Sequence, residues 1–184
     1  MIKNLIAWLA GAMTVLAFAP FSLSPLAILG PAIMLRLWLD TKPGQAFRLG
    51  WFYGLGLFGC GVYWMYISIS KFGGVNLLLA ILITLLFVLF ISLYYGVVGW
   101  LGSRLAGREK GSAALLLFAF VWVLMEWVRG WFLTGFPWLA MGYSQIDSPL
   151  GGFAPLVGVY GVSLAALFSA AAGRAGRELG APRR

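Results

Sequence analysis

Two opposite charges lie inside an apolar stretch of this sequence. Glu126 and Arg129 both fall in the run WVLMEWVRGWFLTGFPWLAMGYSQIDSPL, residues 122–150. Residues three apart share a helix face, so the two side chains can pair. An ionisable group in a membrane segment is costly and is by default read as functional. A pair that only fixes helix packing explains the spacing equally well, so both roles stay open.

Arg129 lies closer than Glu126 to the end of the predicted helix, residues 113–133. At a rise of about 1.5 Å per residue, Arg129 is roughly one turn from that end. A long basic side chain at this depth can extend to lipid head groups. The position therefore favours contact between Arg129 and phospholipid phosphates.

The segment after Arg129 is aromatic and polar and contains a Gly-Pro break. Such a segment can line a pocket for a lipid head group, or it can be an ordinary interfacial loop anchored by Trp and Tyr. Our candidates for binding lipid or substrate are Glu126, Arg129, Trp131, Phe136, Pro137, Trp138, Tyr143, Ser144 and Gln145.

No complete catalytic or metal site can be drawn from the residue types. Cys60 is the single thiol, the chain has no His, and its five acidic residues are scattered. An activated thiolate needs a base or a positive charge nearby, so we expect Cys60 to be a small buried apolar residue. The sequence therefore predicts no catalytic residue, no metal ligand and no cofactor.

The composition indicates an integral membrane protein. Hydrophobic residues make up 62% of the chain and charged residues 10%, whereas soluble domains carry about 25% charged residues. The net charge is +8, but the basic residues stand between apolar runs. This pattern favours orientation in a membrane over nucleic-acid binding.

Residues 1–173 predict an all-α, polytopic membrane helix bundle of about six transmembrane helices, followed by a basic, disordered cytoplasmic tail at residues 174–184. The first apolar run resembles a signal peptide, but Pro20 and the apolar sequence after it favour an uncleaved helix. Glycines at 50, 54, 56, 59 and 61 predict close helix packing. The predicted spans are residues 5–19, 23–39, 49–70, 75–103, 113–133 and 151–173.

The basic residues predict the orientation of the bundle. With six spans, all Lys and Arg except Lys71 and Arg129 fall on the side of the two termini. The positive-inside rule then puts both termini in the cytoplasm. Residues 70–75 and 135–150 are expected on the outer face of the membrane.

Three blocks carry a family resemblance: AFAPFS (17–22), FRLGWFYGLGLFGCGVYWMYISISKFGG (47–74) and EWVRGWFLTGFPWLAMGYSQIDSPLGGFAPLVGVYG (126–161). Together they resemble the bacterial apolipoprotein N-acyltransferases, over the whole chain except the tail. In that family a helix bundle holds a nitrilase-like periplasmic domain with a Glu-Lys-Cys triad. The Cys takes an acyl chain from a phospholipid and passes it to the α-amino group of a lipoprotein's diacylglyceryl-cysteine.

The resemblance implies the membrane part of such an enzyme. Residues 126–130 and 134–138, continuing to Ser144 and Gln145, match the family motif that shapes the lipid cleft beneath the catalytic domain. Glu126 and Cys60 do not match the triad, so no catalytic residue carries over and we expect no activity from this chain alone.

Three functions follow from these observations. The first is a truncated or split N-acyltransferase, whose partners are membrane phospholipid, a lipoprotein substrate and a separately encoded nitrilase-like domain. The second is a non-catalytic scaffold that binds phospholipid or lipoprotein. The third, a small transporter, is disfavoured because no inverted repeat is clear and the helix break lies near the outer face.

Overall fold

The computed structural model describes residues 1–39, 41–107, 109 and 111–179, with side chains described through residue 172. This part of the chain is helical and contains no strand, as predicted. Residues 180–184 of the predicted basic tail lie outside it. The α-helices are α1 (Ile2–Val15), α2 (Leu26–Trp38), α3 (Pro43–Gly61), α4 (Met65–Phe72), α5 (Leu77–Ile91), α6 (Leu93–Ala106), α7 (Ser112–Arg129) and α8 (Ala154–Leu179).

The helices follow the predicted apolar segments and form a membrane helix bundle. Leu77–Ala106, Ser112–Arg129 and Pro149–Ala172 are each long and apolar enough to cross a membrane. The third predicted segment is instead broken, because α3 and α4 meet at a bend of 50° and count as a fourth span only together. With 14 and 13 residues, α1 and α2 are apolar but shorter than the ~17–25 residues of a typical span.

Close helix contacts surround α3. A Cβ added at Gly11 of α1 would overlap the carbonyl oxygen of Tyr53, and one at Gly56 of α3 would overlap that of Trp8. Two helix backbones can approach this closely only where the residue at the contact is as small as glycine. The predicted close packing is therefore confirmed at Gly56, whereas a Cβ at Gly59 would meet nothing within 4 Å.

A cluster of aromatic side chains around Trp122 joins α7 to three other helices. The Trp122 ring, which is fully buried, lies 5.8 Å from Trp38, 5.4 Å from Tyr53 and 5.0 Å from Tyr95 between centroids. All three contacts have the edge-to-face geometry that aromatic pairs prefer. This cluster fixes the position of α7 and of the charged turn that follows it.

The fifth predicted span ends earlier than expected. α7 stops at Arg129 because the backbone leaves helical geometry at Trp131, which has a φ of −135°, and then takes positive φ values of 51°, 74° and 81° at Leu133, Thr134 and Gly135. The chain reverses there, and the Phe136 amide donates to the Arg129 carbonyl at 2.8 Å. Residues 130–153 therefore form an irregular connection, which we call the α7–α8 loop. It includes three short 3-10 helices, Phe132–Thr134, Met141–Gln145 and Pro149–Phe153.

The α7–α8 loop lies at one end of the bundle with two other connections. An added Cβ at Gly61 would lie against the Leu139 side chain, so the α3–α4 bend adjoins the loop. Gln145 Nε2 donates a long hydrogen bond of 3.4 Å to the Ser24 carbonyl in the α1–α2 connection. All three connections therefore lie at the same end of the bundle.

Candidate functional site

Glu126 lies in the last turn of α7 and is 2% exposed. Its Oε1 accepts hydrogen bonds from Trp122 Nε1 at 3.1 Å and from the Met141 amide at 3.0 Å. Its Oε2 accepts one from Ser163 Oγ at 2.7 Å. Three donors therefore surround the carboxyl group, which ties α7 to the α7–α8 loop and to α8.

Ser163 extends this connection. Besides donating to Glu126, its Oγ accepts a hydrogen bond from the Gly142 amide at 2.8 Å. A Cβ added at Gly142 would overlap the carbonyl oxygen of Val159. Two successive loop amides, those of Met141 and Gly142, are thus held by side chains of two different helices, with the loop in close contact with α8.

Arg129 binds the other half of the loop. Its Nη1 donates to the carbonyl oxygens of Phe136 and Trp138, both at 2.6 Å. Its guanidinium carbon lies 5.2 Å from the centroid of the Phe58 ring, within the range of a cation–π contact. Arg129 is 2% exposed, and its buried Nη2 has no hydrogen-bond partner in the described part of the chain.

The direct pairing that the spacing of Glu126 and Arg129 allows is absent from the hydrogen bonds of the described residues. Each charged group is hydrogen-bonded to the loop, and the carboxyl oxygens accept only from Trp122, Met141 and Ser163 among the described residues. The irregular backbone explains this outcome, because buried amides and carbonyls must find partners away from water. The two charges satisfy the loop instead of each other.

A pocket of about 200 Å³ lies beside Arg129. It opens between α5, α6 and the turn that follows α7. Its walls include a buried cation, the positive-φ turn and several aromatic residues, so the lining is both polar and aromatic. We call it the Arg129 pocket; it is lined by Met65, Phe87, Phe90, Ile91, Tyr94, Arg129, Phe132, Leu133, Thr134, Gly135 and Phe136.

Only two of the nine predicted binding residues, Arg129 and Phe136, line this pocket. The Trp138 ring is 54% exposed and stacks on Phe136, with centroids 5.4 Å apart, so it extends the aromatic wall outward. Trp131 is also exposed and lies edge-on to Trp127 at 5.4 Å. A lipid contact for these aromatic residues stays a prediction.

The remaining predicted residues belong to the loop itself. Ser144 and Gln145 are buried and bonded within the loop: Ser144 Oγ donates to the Met141 carbonyl at 2.6 Å, and Gln145 Nε2 to Ser144 Oγ at 2.9 Å. Tyr143 is 44% exposed, and Pro137 is half-buried. Their role in lipid binding is likewise untested, but Ser144 and Gln145 visibly hold the loop together.

Sequence reasoning missed Ser163 and the aromatic residues of α5 and α6. A serine in an apolar helix gives little signal, because its hydroxyl usually bonds within its own helix. Phe87, Phe90 and Tyr94 lie in a long apolar run, where residues that face a pocket look the same as residues that face lipid. The rings of Phe87 and Phe136 lie 4.9 Å apart between centroids, and this contact between residues distant in the sequence is visible only in the folded chain.

The expected burial of Cys60 is wrong. Its side chain is exposed near the end of α3. Among the residues that the structure describes, no group of three or more His, Cys, Asp or Glu side chains is placed to hold a metal ion.

The sequence model described as "Apolipoprotein N-acyltransferase N-terminal domain" matches residues 10–172. This match covers nearly the whole described bundle, including α7, the loop and the Ser163 turn of α8. The chain belongs to the apolipoprotein N-acyltransferase family. The resemblance predicted from the three sequence blocks is therefore confirmed.

Individual relatives agree with the family match. The chain is 48% identical over 168 residues to an apolipoprotein N-acyltransferase of Coxiella burnetii, covering 90% of this chain and 34% of the relative. It is 45% identical to proteins of the same name from Vibrio parahaemolyticus and Pseudomonas putida, covering 92% and 91% of this chain and 34% of each relative. The chain thus spans about a third of the length of these apolipoprotein N-acyltransferases and matches their N-terminal part.

Proposed function

We propose that this chain is the membrane domain of an apolipoprotein N-acyltransferase and holds a phospholipid for acyl transfer. The observation that carries the proposal is the buried Arg129 in the wall of a pocket at the loop end of the bundle. A cation at the edge of an apolar helix bundle matches an anionic lipid, whose chains lie among apolar side chains and whose phosphate lies nearby.

The proposed reaction is the transfer of an acyl chain to the N-terminal diacylglyceryl-cysteine of a bacterial lipoprotein. The ester bond between the acyl chain and glycerol breaks, and an amide bond to the α-amino nitrogen forms. The lysophospholipid leaves as the alcohol and takes up the proton that the amine loses. The domain's part is to bind and orient the acyl donor.

The chemical steps need groups beyond those of this domain. Nucleophilic acyl transfer requires an activated nucleophile and a base, and no such pair is formed by the described side chains. The relatives are about three times as long as their match to this chain, so we assign the chemistry to their remaining two-thirds. A nitrilase-like domain there, or encoded separately, is the expected partner.

The orientation is part of the same proposal. The loop end of the bundle faces the periplasm, both termini lie in the cytoplasm, and the protein resides in the bacterial inner membrane. The basic residues at the opposite end support this, for example Lys42 just before α3 and Arg104 in the last turn of α6. A lipid bound beside Arg129 then lies in the outer leaflet, next to the expected catalytic domain.

A chimera tests the proposal. The matched N-terminal part of the Coxiella burnetii relative is replaced by this chain, and the purified chimera is incubated with phospholipid and a diacylated lipopeptide. Mass spectrometry should detect the added N-acyl chain for the chimera, and no product for this chain alone.

Two results would contradict the proposal. A folded chimera that binds phospholipid but forms no product would favour the non-catalytic scaffold. Product from this chain alone would mean that it contains its own nucleophile, and a Cys60→Ala variant would then show whether the single thiol is that group. The relative's remaining part, expressed without this chain, is the control for background activity.

A further inference from the structure

The helix formed by α5 and α6 is longer than a membrane is thick. With only Ser92 between them, the two make one apolar helix of 30 residues, Leu77–Ala106, which is about 45 Å long at the helical rise. The hydrocarbon core of a bilayer is about 30 Å thick. Counted from Ala106, this thickness ends near Phe87, so residues 77–86 extend about 15 Å farther.

Two contacts agree with a bilayer placed between Phe87 and Ala106. At one end, Arg104 is exposed and its guanidinium carbon lies 5.6 Å from the centroid of the Trp100 ring, and basic and tryptophan side chains are typical of the membrane interface. At the other end, the Phe87 ring contacts Phe136 of the α7–α8 loop. α7 has 18 residues, about 27 Å, and ends just before that loop. Both helices therefore reach the outer boundary of the hydrocarbon at a similar level.

Tilting does not bring the whole α5–α6 helix into the bilayer. A helix of about 45 Å fits a core of about 30 Å only at a tilt of about 48°, beyond the range of about 0–40° seen for membrane helices. α6 is also held along α3, because an added Cβ at Gly50 would overlap the carbonyl oxygen of Tyr95 and one at Gly99 that of Ala46. The helix could tilt so far only together with its neighbours.

α4 and the first part of α5 therefore extend beyond the hydrocarbon, and we call residues 65–86 the α4–α5 arm. α4 packs along α5, and the turn that joins them is polar. It contains Lys71, the single charged residue between positions 49 and 103, and Asn76, whose Oδ1 accepts a hydrogen bond from the Leu79 amide at 2.9 Å. A charged side chain inside a bilayer is costly, so the tip of the arm is suited to water.

The α5 side of the arm is apolar in spite of this position. Eight of the ten residues 77–86 are exposed, and each of the eight is Leu or Ile; Ala80 and Thr84 are buried. A contiguous apolar patch in contact with water marks a binding site for a protein or a membrane. Because this part of α5 lies beyond the hydrocarbon, lipid chains do not cover it, which favours a protein partner.

We propose that the α4–α5 arm is the docking surface for the part of an apolipoprotein N-acyltransferase that lies beyond its N-terminal domain. This inference rests on the proposed function, which places the catalytic domain at the same end of the bundle. The arm stands beside the α7–α8 loop through the contact of Phe87 with Phe136. The match to this chain covers only 34% of the Coxiella burnetii relative, so a large partner is available to cover the arm.

The charge of the arm favours this partner over a second copy of the chain. Two copies inserted in the same direction would bring their Lys71 side chains to the same level, and like charges placed together at an interface are unfavourable. The matching surface of the partner is instead apolar, with an acidic or hydrogen-bond-accepting group opposite Lys71.

Single cysteines in a Cys60→Ser background test the proposal in open membrane fragments, where a water-soluble maleimide reaches both faces. Leu78→Cys, at a position that is 79% exposed, should react in this chain alone. In the acyl-transfer chimera it should react at least about tenfold more slowly, because the core of a protein interface excludes water. Peptide mass spectrometry assigns the label to its position and separates it from the relative's own thiols.

Two matched variants are the controls. Gln45→Cys, exposed in the first turn of α3 at the opposite end of the bundle, should react alike in the chain and the chimera. Leu124→Cys, 48% exposed within α7, should react in neither, because lipid covers it. Coexpression of this chain with the relative's remaining part as a separate chain repeats the comparison, so the result does not depend on folding of the fusion.

Each outcome decides one part of the proposal. A Leu78→Cys variant that does not react in this chain alone would mean that lipid or a second copy covers the arm, and equal reaction with and without the relative's remaining part would mean that this part docks elsewhere; either result would overturn the inference. Protection of Leu78→Cys without acyl transfer would refute the proposed function alone. Acyl transfer without protection would refute the docking surface alone.

Discussion

Removing the Glu126 carboxyl group should release the α7–α8 loop. In Glu126→Ala the amide of Met141, the Trp122 Nε1–H and the Ser163 hydroxyl all lose their acceptor. The Ser163 hydroxyl can turn to a carbonyl of its own helix, but the other two donors have no such alternative. Each buried unsatisfied donor costs about 1–3 kcal/mol, so we expect a loss of about 2–6 kcal/mol in the free energy of unfolding.

Glu126→Gln should cost less. The amide oxygen of Gln can still accept from Trp122 and Met141, and Ser163 Oγ can rotate to accept from the amide nitrogen. Hydrogen bonds to a charged group contribute about 1.5–3 kcal/mol and neutral ones about 0.5–1.5 kcal/mol. The difference is about 1–1.5 kcal/mol per bond, so the two bonds retained at the amide oxygen predict a loss of about 2–3 kcal/mol, in the lower half of the range for the alanine variant.

The assay combines equilibrium unfolding in bicelles with hydrogen exchange of the loop amides. In Glu126→Ala the Met141 amide should exchange faster than in the parent, together with that of Gly142, which Ser163 holds. Glu109→Ala is the matched control, because Glu109 is exposed and surface substitutions usually change stability by less than about 0.5 kcal/mol. If Glu126→Ala is as stable as Glu109→Ala, with unchanged protection at Met141, the anchoring role of Glu126 is refuted.

Two further predictions concern packing and orientation. Gly56→Ala should lower the free energy of unfolding by about 1–3 kcal/mol or more, because the added Cβ overlaps the backbone of α1. Gly59→Ala places its Cβ in open space and should be neutral or slightly stabilising. Equal effects of the two variants on unfolding would contradict the close α1–α3 contact. The orientation is tested with single cysteines in a Cys60→Ser background. Ile146→Cys, at a position that is 71% exposed, should react with an impermeant maleimide from outside intact cells, whereas Ser112→Cys should react only after permeabilisation. The reverse pattern would invert the proposed orientation.

The helical architecture and the location of the candidate site were predictable from composition and charge. Long apolar runs with few charges predict membrane helices, and the segment that combines charges within an apolar run with a Gly-Pro break is where the structure has its irregular loop. The end of α7 was placed four residues too late, at residue 133 instead of Arg129, because Leu133 and Thr134 give no sign of their positive φ values. Such conformations depend on the contacts that the loop makes.

The burial of individual residues was less predictable, for a physical reason. In a membrane, residues that face lipid and residues that face the protein core are both apolar, so hydropathy does not separate them. Cys60 and Gly59 illustrate this, since both were expected in a packed surface and both face open space. Gly56, three positions earlier on α3, lies against α1 instead.

Glu126 and Arg129 hydrogen-bond to the loop and not to each other for a related reason. The three-residue spacing describes neighbours on an exposed helix, where water satisfies every other polar group. At the end of α7 the competing partners include buried backbone groups of the loop, such as the amide of Met141, which are shielded from water. A charge–backbone hydrogen bond is strong in such surroundings, so each charged group binds the loop.

The two interpretations that the sequence left open, structural and functional, are therefore compatible in Arg129. Its Nη1 holds the carbonyls of Phe136 and Trp138, which fixes the aromatic wall of the pocket and fixes the guanidinium plane as well. The guanidinium therefore lacks the rotational freedom of an unanchored side chain, so less side-chain entropy is lost when a ligand is bound beside it. On the lipid-binding proposal, the loop contacts are what prepare Arg129 for phosphate, and weakening the loop should lower lipid affinity even when the arginine is retained.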